Sequence, residues 1–86
     1  MRMAVYINYK INRRKETMDV RDVEALKNWL SRVGDLDNAN EDLIDNAIWC
    51  LKNGNEYRAI SSLKGLASNL RNAGKTESAK GVERLL

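Results

Sequence analysis

Residues 43–54, "LIDNAIWCLKNG", decide how this chain folds. Leu43, Ile44, Ala47, Ile48 and Leu51 recur at steps of three and four, the spacing of one face of an α-helix. Asn53-Gly54 then supplies a helix stop. At about 100° per residue, Trp49 lies roughly opposite the stripe, among Asp42, Asp45 and Asn53. The simplest reading covers Trp49 with the N-terminal segment or with Trp29. A second makes it an anchor for a protein partner, with Asp42 and Asp45 as its acidic rim. A third stacks it on a nucleobase, which those two carboxylates oppose by repelling phosphate.

Helical periodicity continues on both sides. Upstream, Asp19 fits an N-cap with Asp22 in the first turn, where the helix dipole favours a carboxylate. Val23, Leu26, Leu30 and Val33 form the apolar face of that helix, Trp29 falls on its flank, and Gly34 stops it. For the helix containing Trp49, Asn38 with Glu41 has the spacing of a capping box, and Asn40 is an alternative cap. Downstream, Asn55 opens a helix with Ala59, Ile60, Leu63, Leu66, Ala67 and Leu70 on one face, stopped by Gly74. Thr76 is the expected cap of a short closing helix with Ala79, Val82 and Leu85 inward. Short connections imply antiparallel neighbours. Residues 65–86 have the small-residue spacing of helical-hairpin repeats, but no second copy occurs at a period of 30 to 45 residues.

The N-terminal segment reads differently. Met3, Val5, Ile7, Tyr9 and Ile11 alternate with Ala4, Tyr6, Asn8, Lys10 and Asn12, a β-strand pattern. "NRRK" offers a turn and "ETMDV" a short returning strand. So small a ribbon is marginal alone. It needs a helix beneath it or another strand, from a partner's sheet edge or from a second copy in a homodimer. The expected fold is mainly α: a small three- to four-helix domain of antiparallel helical hairpins with an N-terminal β-strand or short β-ribbon. One domain spans 1–86, with a basic arm over 1–18 and a helical core over 19–86.

With 86 residues there is room for a single core. That core contains no Phe and draws on a chain that is 43% hydrophobic. The one cysteine, Cys50, excludes an internal disulfide and Cys-based zinc, and sits where a small buried hydrophobe fits. No signal peptide or membrane span is read, so a cytoplasmic location without membrane association is expected.

Chemistry is poorly supplied. The chain has no His, the commonest general base and metal ligand. Ser61 and Lys64 have Ser-x-x-Lys spacing but lack the companion motifs of that mechanism. Gly74-Lys75-Thr76 ends like a phosphate-binding loop, yet Asn69 stands where the first glycine belongs and a helix precedes it. "DLDNANEDLIDN" begins like a calcium loop, but Ala39, Asn40 and Asn46 occupy positions that need a ligand, a glycine and a glutamate. No enzyme, metal or cofactor is expected.

Charge is the remaining signal. The net charge of +3 conceals +5 over residues 1–15, where there is no acid, and −5 over 35–45, where there is no base. Lys10, Arg13, Arg14 and Lys15, beside Tyr6 and Tyr9, resemble the basic and aromatic surfaces that hold single-stranded RNA by charge and stacking. In the third helix Tyr57, Lys64 and Arg71 recur every seven residues, with Ser61 and Ser68 between them and Lys75 beyond. Cations so spaced suit a phosphate backbone. The expected function is therefore a non-enzymatic regulator binding nucleic acid, RNA before DNA. Lys10, Arg13, Arg14, Lys15, Lys64 and Arg71 would hold phosphates, and Tyr6 or Tyr9 would stack. The alternative is a compact adaptor or inhibitor, of the kind phages and mobile elements encode. It would act on a protein by strand pairing and through Trp49, Asp42 and Asp45.

Overall fold

A computed structural model describes residues 18–86; the expected strand and ribbon lie outside the described residues. Four helices follow: α1 (Val20–Val33), α2 (Asn38–Lys52), α3 (Glu56–Asn72) and α4 (Thr76–Glu83). Each helix packs on its successor, and α4 returns to touch α1. The short connections 34–37, 53–55 and 73–75 reverse the chain at each step.

The same device ends the first three helices, at intervals of twenty residues. Gly34, Gly54 and Gly74 take φ of 81°, 78° and 80°, a left-handed conformation that only glycine adopts without strain. The next residue's N–H then reaches back to a helix carbonyl: Asp35 to Leu30 at 3.0 Å, Asn55 to Cys50 and Lys75 to Leu70 at 2.8 Å. Leu30, Cys50 and Leu70 are all buried, so each helix stops where its apolar face meets the core.

Helix starts partly depart from expectation. The Asp19 and Asn55 side chains accept from the N–H groups of Arg21 (3.0 Å) and Arg58 (3.2 Å), as their residue types favour. For α2 the cap is Asp37, not Asn38 or Asn40: its carboxylate accepts the Asn40 N–H at 2.9 Å. Asp and Asn cap about equally well, so the choice is made by where the connection brings the chain into the helix, and the Asp37 carboxylate also suits the positive helix end. For α4 the cap position falls on Lys75, and Thr76 is the first helical residue, with no side-chain cap bond.

The core joins all four helices. Val23, Leu30, Ile44, Leu63, Leu66, Leu70 and Val82 are fully enclosed, each contributing about 1.5–3 kcal/mol by burial. Cys50 is among the buried residues. In α2 the most buried line is Asn40, Ile44, Ala47 and Cys50, while Leu43, Ile48 and Leu51 are half-buried on either side. This shift toward Cys50 follows from α2 lying between α1 and α3, which divide its apolar face between them. The buried Asn40 amide donates to the Asp35 carbonyl at 3.5 Å and accepts from Asn69 at 3.4 Å. Among the described residues no buried side-chain polar atom is left without a partner. Nor is any described helix long and apolar enough to cross a membrane.

Candidate nucleic-acid and protein-binding surfaces

Helix α3 carries no carboxylate after Glu56, and the next acid in the chain is Glu77. Its exposed side presents Tyr57, Arg58, Ser61, Lys64, Ser68 and Arg71. Tyr57 is 83% exposed. The expected row of cations divides at its midpoint. Arg71 donates to Glu83 Oε1 at 2.5 Å, and Lys75 donates to Asp35 Oδ1 at 2.9 Å. Those two cations join α3 and its C-terminal connection to α4 and to the α1–α2 connection. Lys64 has no carboxylate partner among the described residues, and the same holds for Arg58.

Arg58 escapes sequence reading because it lies about 100° from Tyr57 on the helix, off the seven-residue row. Its place becomes clear only with α2 alongside. There Leu43, Asn46, Arg58, Ser61 and Ser62 line a shallow depression of about 370 Å³ between α2 and α3. Asn46 Nδ2 donates to Ser62 Oγ at 2.6 Å across it. Gly65 underlies the same seam, with Leu43 methyls 3.9–4.0 Å from the place of a Cβ.

Met18, the first described residue, lies near this end of α3. The Met18 N–H donates to Glu56 Oε2 at 3.0 Å, next in sequence to Tyr57 and Arg58. Lys10, Arg13, Arg14, Lys15, Tyr6 and Tyr9 lie outside the described residues, as does the strand proposed to pair two copies.

A second surface lies on α2. Trp49 is 60% exposed. Trp29 lies against Gly81 of α4, so it is not a lid for Trp49; a Cβ on Gly81 would fall 2.8 Å from Trp29 Cζ3. The acidic rim is partly neutralised. Lys27 of α1 donates to Asp45 Oδ1 at 2.6 Å and stands 3.8 Å from Glu41. The Asp45 hydrogen bond is the main reason the Lys27 pKa is raised. Lys52 and Glu24 pair at 3.8 Å. Asp42 is exposed, with no ion pair among the described residues.

The remaining acids of the calcium-like stretch have partners too. Asp35 accepts from Lys75 and Ser78, and Asp37 caps α2. Hydrogen bonds to Ser78 first and Lys75 second hold the Asp35 carboxyl below the usual carboxylate range. The described residues contain no His, Cys, Asp and Glu grouping suited to a metal ion. Ser61 and Lys64 are both exposed on α3, with only Ser61 on the depression.

Comparison with protein-family models, curated proteins and solved structures gives no match.

Proposed function

We propose that this protein is a non-enzymatic regulator that binds nucleic acid, single-stranded RNA in preference to DNA, along α3 and the basic arm. One juxtaposition carries the reading. Met18 joins the domain beside Glu56, where Tyr57 and Arg58 open the acid-free face of α3. The acid-free residues 1–15 are thus connected to the end of α3 whose cations have no carboxylate partners among the described residues. Cations without partners bind phosphate without first surrendering an ion pair, and their contacts release counterions. Tyr57, with Tyr6 and Tyr9 from the arm, adds rings on which unstacked bases rest. Arg71 and Lys75 contribute less, because Glu83 and Asp35 hold them.

The test is fluorescence anisotropy of labelled single-stranded RNA and matched DNA at about 50 and about 200 mM salt. Binding to RNA that weakens about tenfold or more between these salts supports contact with several phosphates. Replacing Arg13 and Arg14 together by Ala then flattens the salt slope by about one to two. No binding at the lower salt overturns the proposal.

The exposure of Trp49 favours a second reading, an adaptor or inhibitor docking on a basic protein surface. Exposed Trp is enriched among residues that dominate protein interfaces, and Asp42, two turns earlier on the same face of α2, supplies a complementary charge. The two surfaces are compatible in one molecule. A Trp49→Ala protein that stays folded and loses a captured partner supports the second; unaltered capture opposes it.

A further inference from the structure

We propose that the depression between α2 and α3 is a phosphodiester subsite, seating one backbone phosphate of single-stranded RNA against Arg58, Ser61 and Ser62. The inference rests on the nucleic-acid reading above and adds to it a residue-level site that the row of cations alone does not contain.

The chemistry of the lining carries the argument. Of its five residues, Arg58 is cationic, Asn46, Ser61 and Ser62 are neutral and polar, and Leu43 is apolar; none is acidic. The Asn46 amide donates to Ser62 Oγ, which occupies a lone pair of that hydroxyl and leaves its proton to be donated. Ser61 and Arg58 add further donors with no side-chain partner among the described residues. A concavity supplied with donors and one positive charge, and lacking a carboxylate, selects an anion. The guanidinium fork matches two phosphate oxygens at once, which an ammonium cannot do. The depression is open to solvent, so a bound group can continue out of it on both sides, as a backbone phosphate does. Tyr57 stands one residue from Arg58 and offers its ring to an adjoining base.

The test uses the full chain and two probes, a labelled single-stranded oligouridine and inorganic phosphate. Arg58→Ala is expected to weaken oligouridine binding about fivefold or more and to lower the salt slope by about 0.7, one phosphate's share on a single strand. Arg58→Lys restores the slope but only part of the affinity. In NMR titrations of wild type, the amide signals of Asn46 and the Arg58 side-chain signals move with the oligomer at concentrations where inorganic phosphate leaves them still.

If wild type binds oligouridine and Arg58→Ala binds equally well with the same slope, the subsite is wrong and the wider nucleic-acid reading stands. Movement of the same signals by inorganic phosphate at equal concentration makes the site a free-anion seat and overturns the backbone assignment. If wild type does not bind the oligomer at low salt, the functional reading falls and the subsite with it. Circular dichroism of each variant confirms folding, which the exposed position of Arg58 leaves intact.

Discussion

The carboxylate of Asp35 accepts hydrogen bonds from the Ser78 hydroxyl and the Lys75 ammonium, tying the α1–α2 connection to the start of α4. Its backbone also takes part, because the Asp35 carbonyl accepts the buried Asn40 amide. Asn69 of α3 continues the chain of bonds to Asn40. One loop residue therefore links elements that are up to 43 positions apart in sequence.

Acid should loosen this clamp. Asp35 titrates below the usual carboxylate range in the folded state, chiefly because Ser78 and then Lys75 bond its ionised form. A depressed folded-state pKa means that the contribution is fully present above the ordinary carboxylate value. It is lost as pH falls through the lowered value. Asp35→Asn should lower the melting temperature at neutral pH and flatten the fall in stability on acidification. If that substitution left both the melting temperature and the acid limb as in wild type, the clamp would add nothing.

Two helical glycines should respond to alanine with opposite signs. In an exposed helix interior, alanine is favoured over glycine by about 1 kcal/mol. At Gly65 the nearest Leu43 methyl lies 3.9 Å from the new Cβ, ordinary contact, so Gly65→Ala should stabilise by up to about 1 kcal/mol. At Gly81 the Cβ would fall 2.8 Å from the Trp29 ring, which cannot bend aside as a flexible chain end does. Overpacking costs about 1–3 kcal/mol, which outweighs the propensity gain, so Gly81→Ala should destabilise. Urea unfolding of both variants decides it; a stabilised Gly81→Ala would mean the ring moves freely.

Trp49 should be nearly neutral for folding. Exposed substitutions usually alter stability by less than about 0.5 kcal/mol, and Trp49 is 60% exposed. Trp49→Phe should remove the red-shifted, acrylamide-accessible part of the fluorescence, leaving the blue-shifted emission of Trp29 against Gly81. A large loss of stability, or a quenching profile equal for both tryptophans, would mean that Trp49 is covered in solution.

These contrasts mark what the sequence could and could not say. Apolar periodicity and the three glycine stops place every helix among the described residues, because both signals are local. Buried Cys50 followed from its place beside the stripe. The choice of Asp37 over Asn38 was not visible, since neighbouring residues all suit a cap and only geometry selects among them. Nor could a helical wheel show that Arg71 and Lys75 meet carboxylates 12 and 40 residues away. Arg58 was missed for the converse reason: its surroundings are made by α2, and periodicity within α3 cannot reveal them. The closeness of Trp29 to Gly81 likewise exists only once α4 has returned to α1.

The division of the α3 row yields the last prediction. Arg71 and Glu83 are each nearly half exposed, so their ion pair contributes at most about 1 kcal/mol. That small energy still competes with a phosphate for the same guanidinium. Glu83→Gln should therefore strengthen single-stranded RNA binding, by up to about fivefold at low salt, and make its salt dependence steeper. Arg71→Ala in the wild-type background should weaken binding less than Arg58→Ala does. Anisotropy titrations of the three variants at matched salt test this order. Equal losses for Arg58→Ala and Arg71→Ala, with no gain from Glu83→Gln, would mean that the phosphate track runs the whole length of α3. In that event the Arg71–Glu83 pair does not compete with phosphate, and the carboxylate partners seen at the far end do not limit the surface.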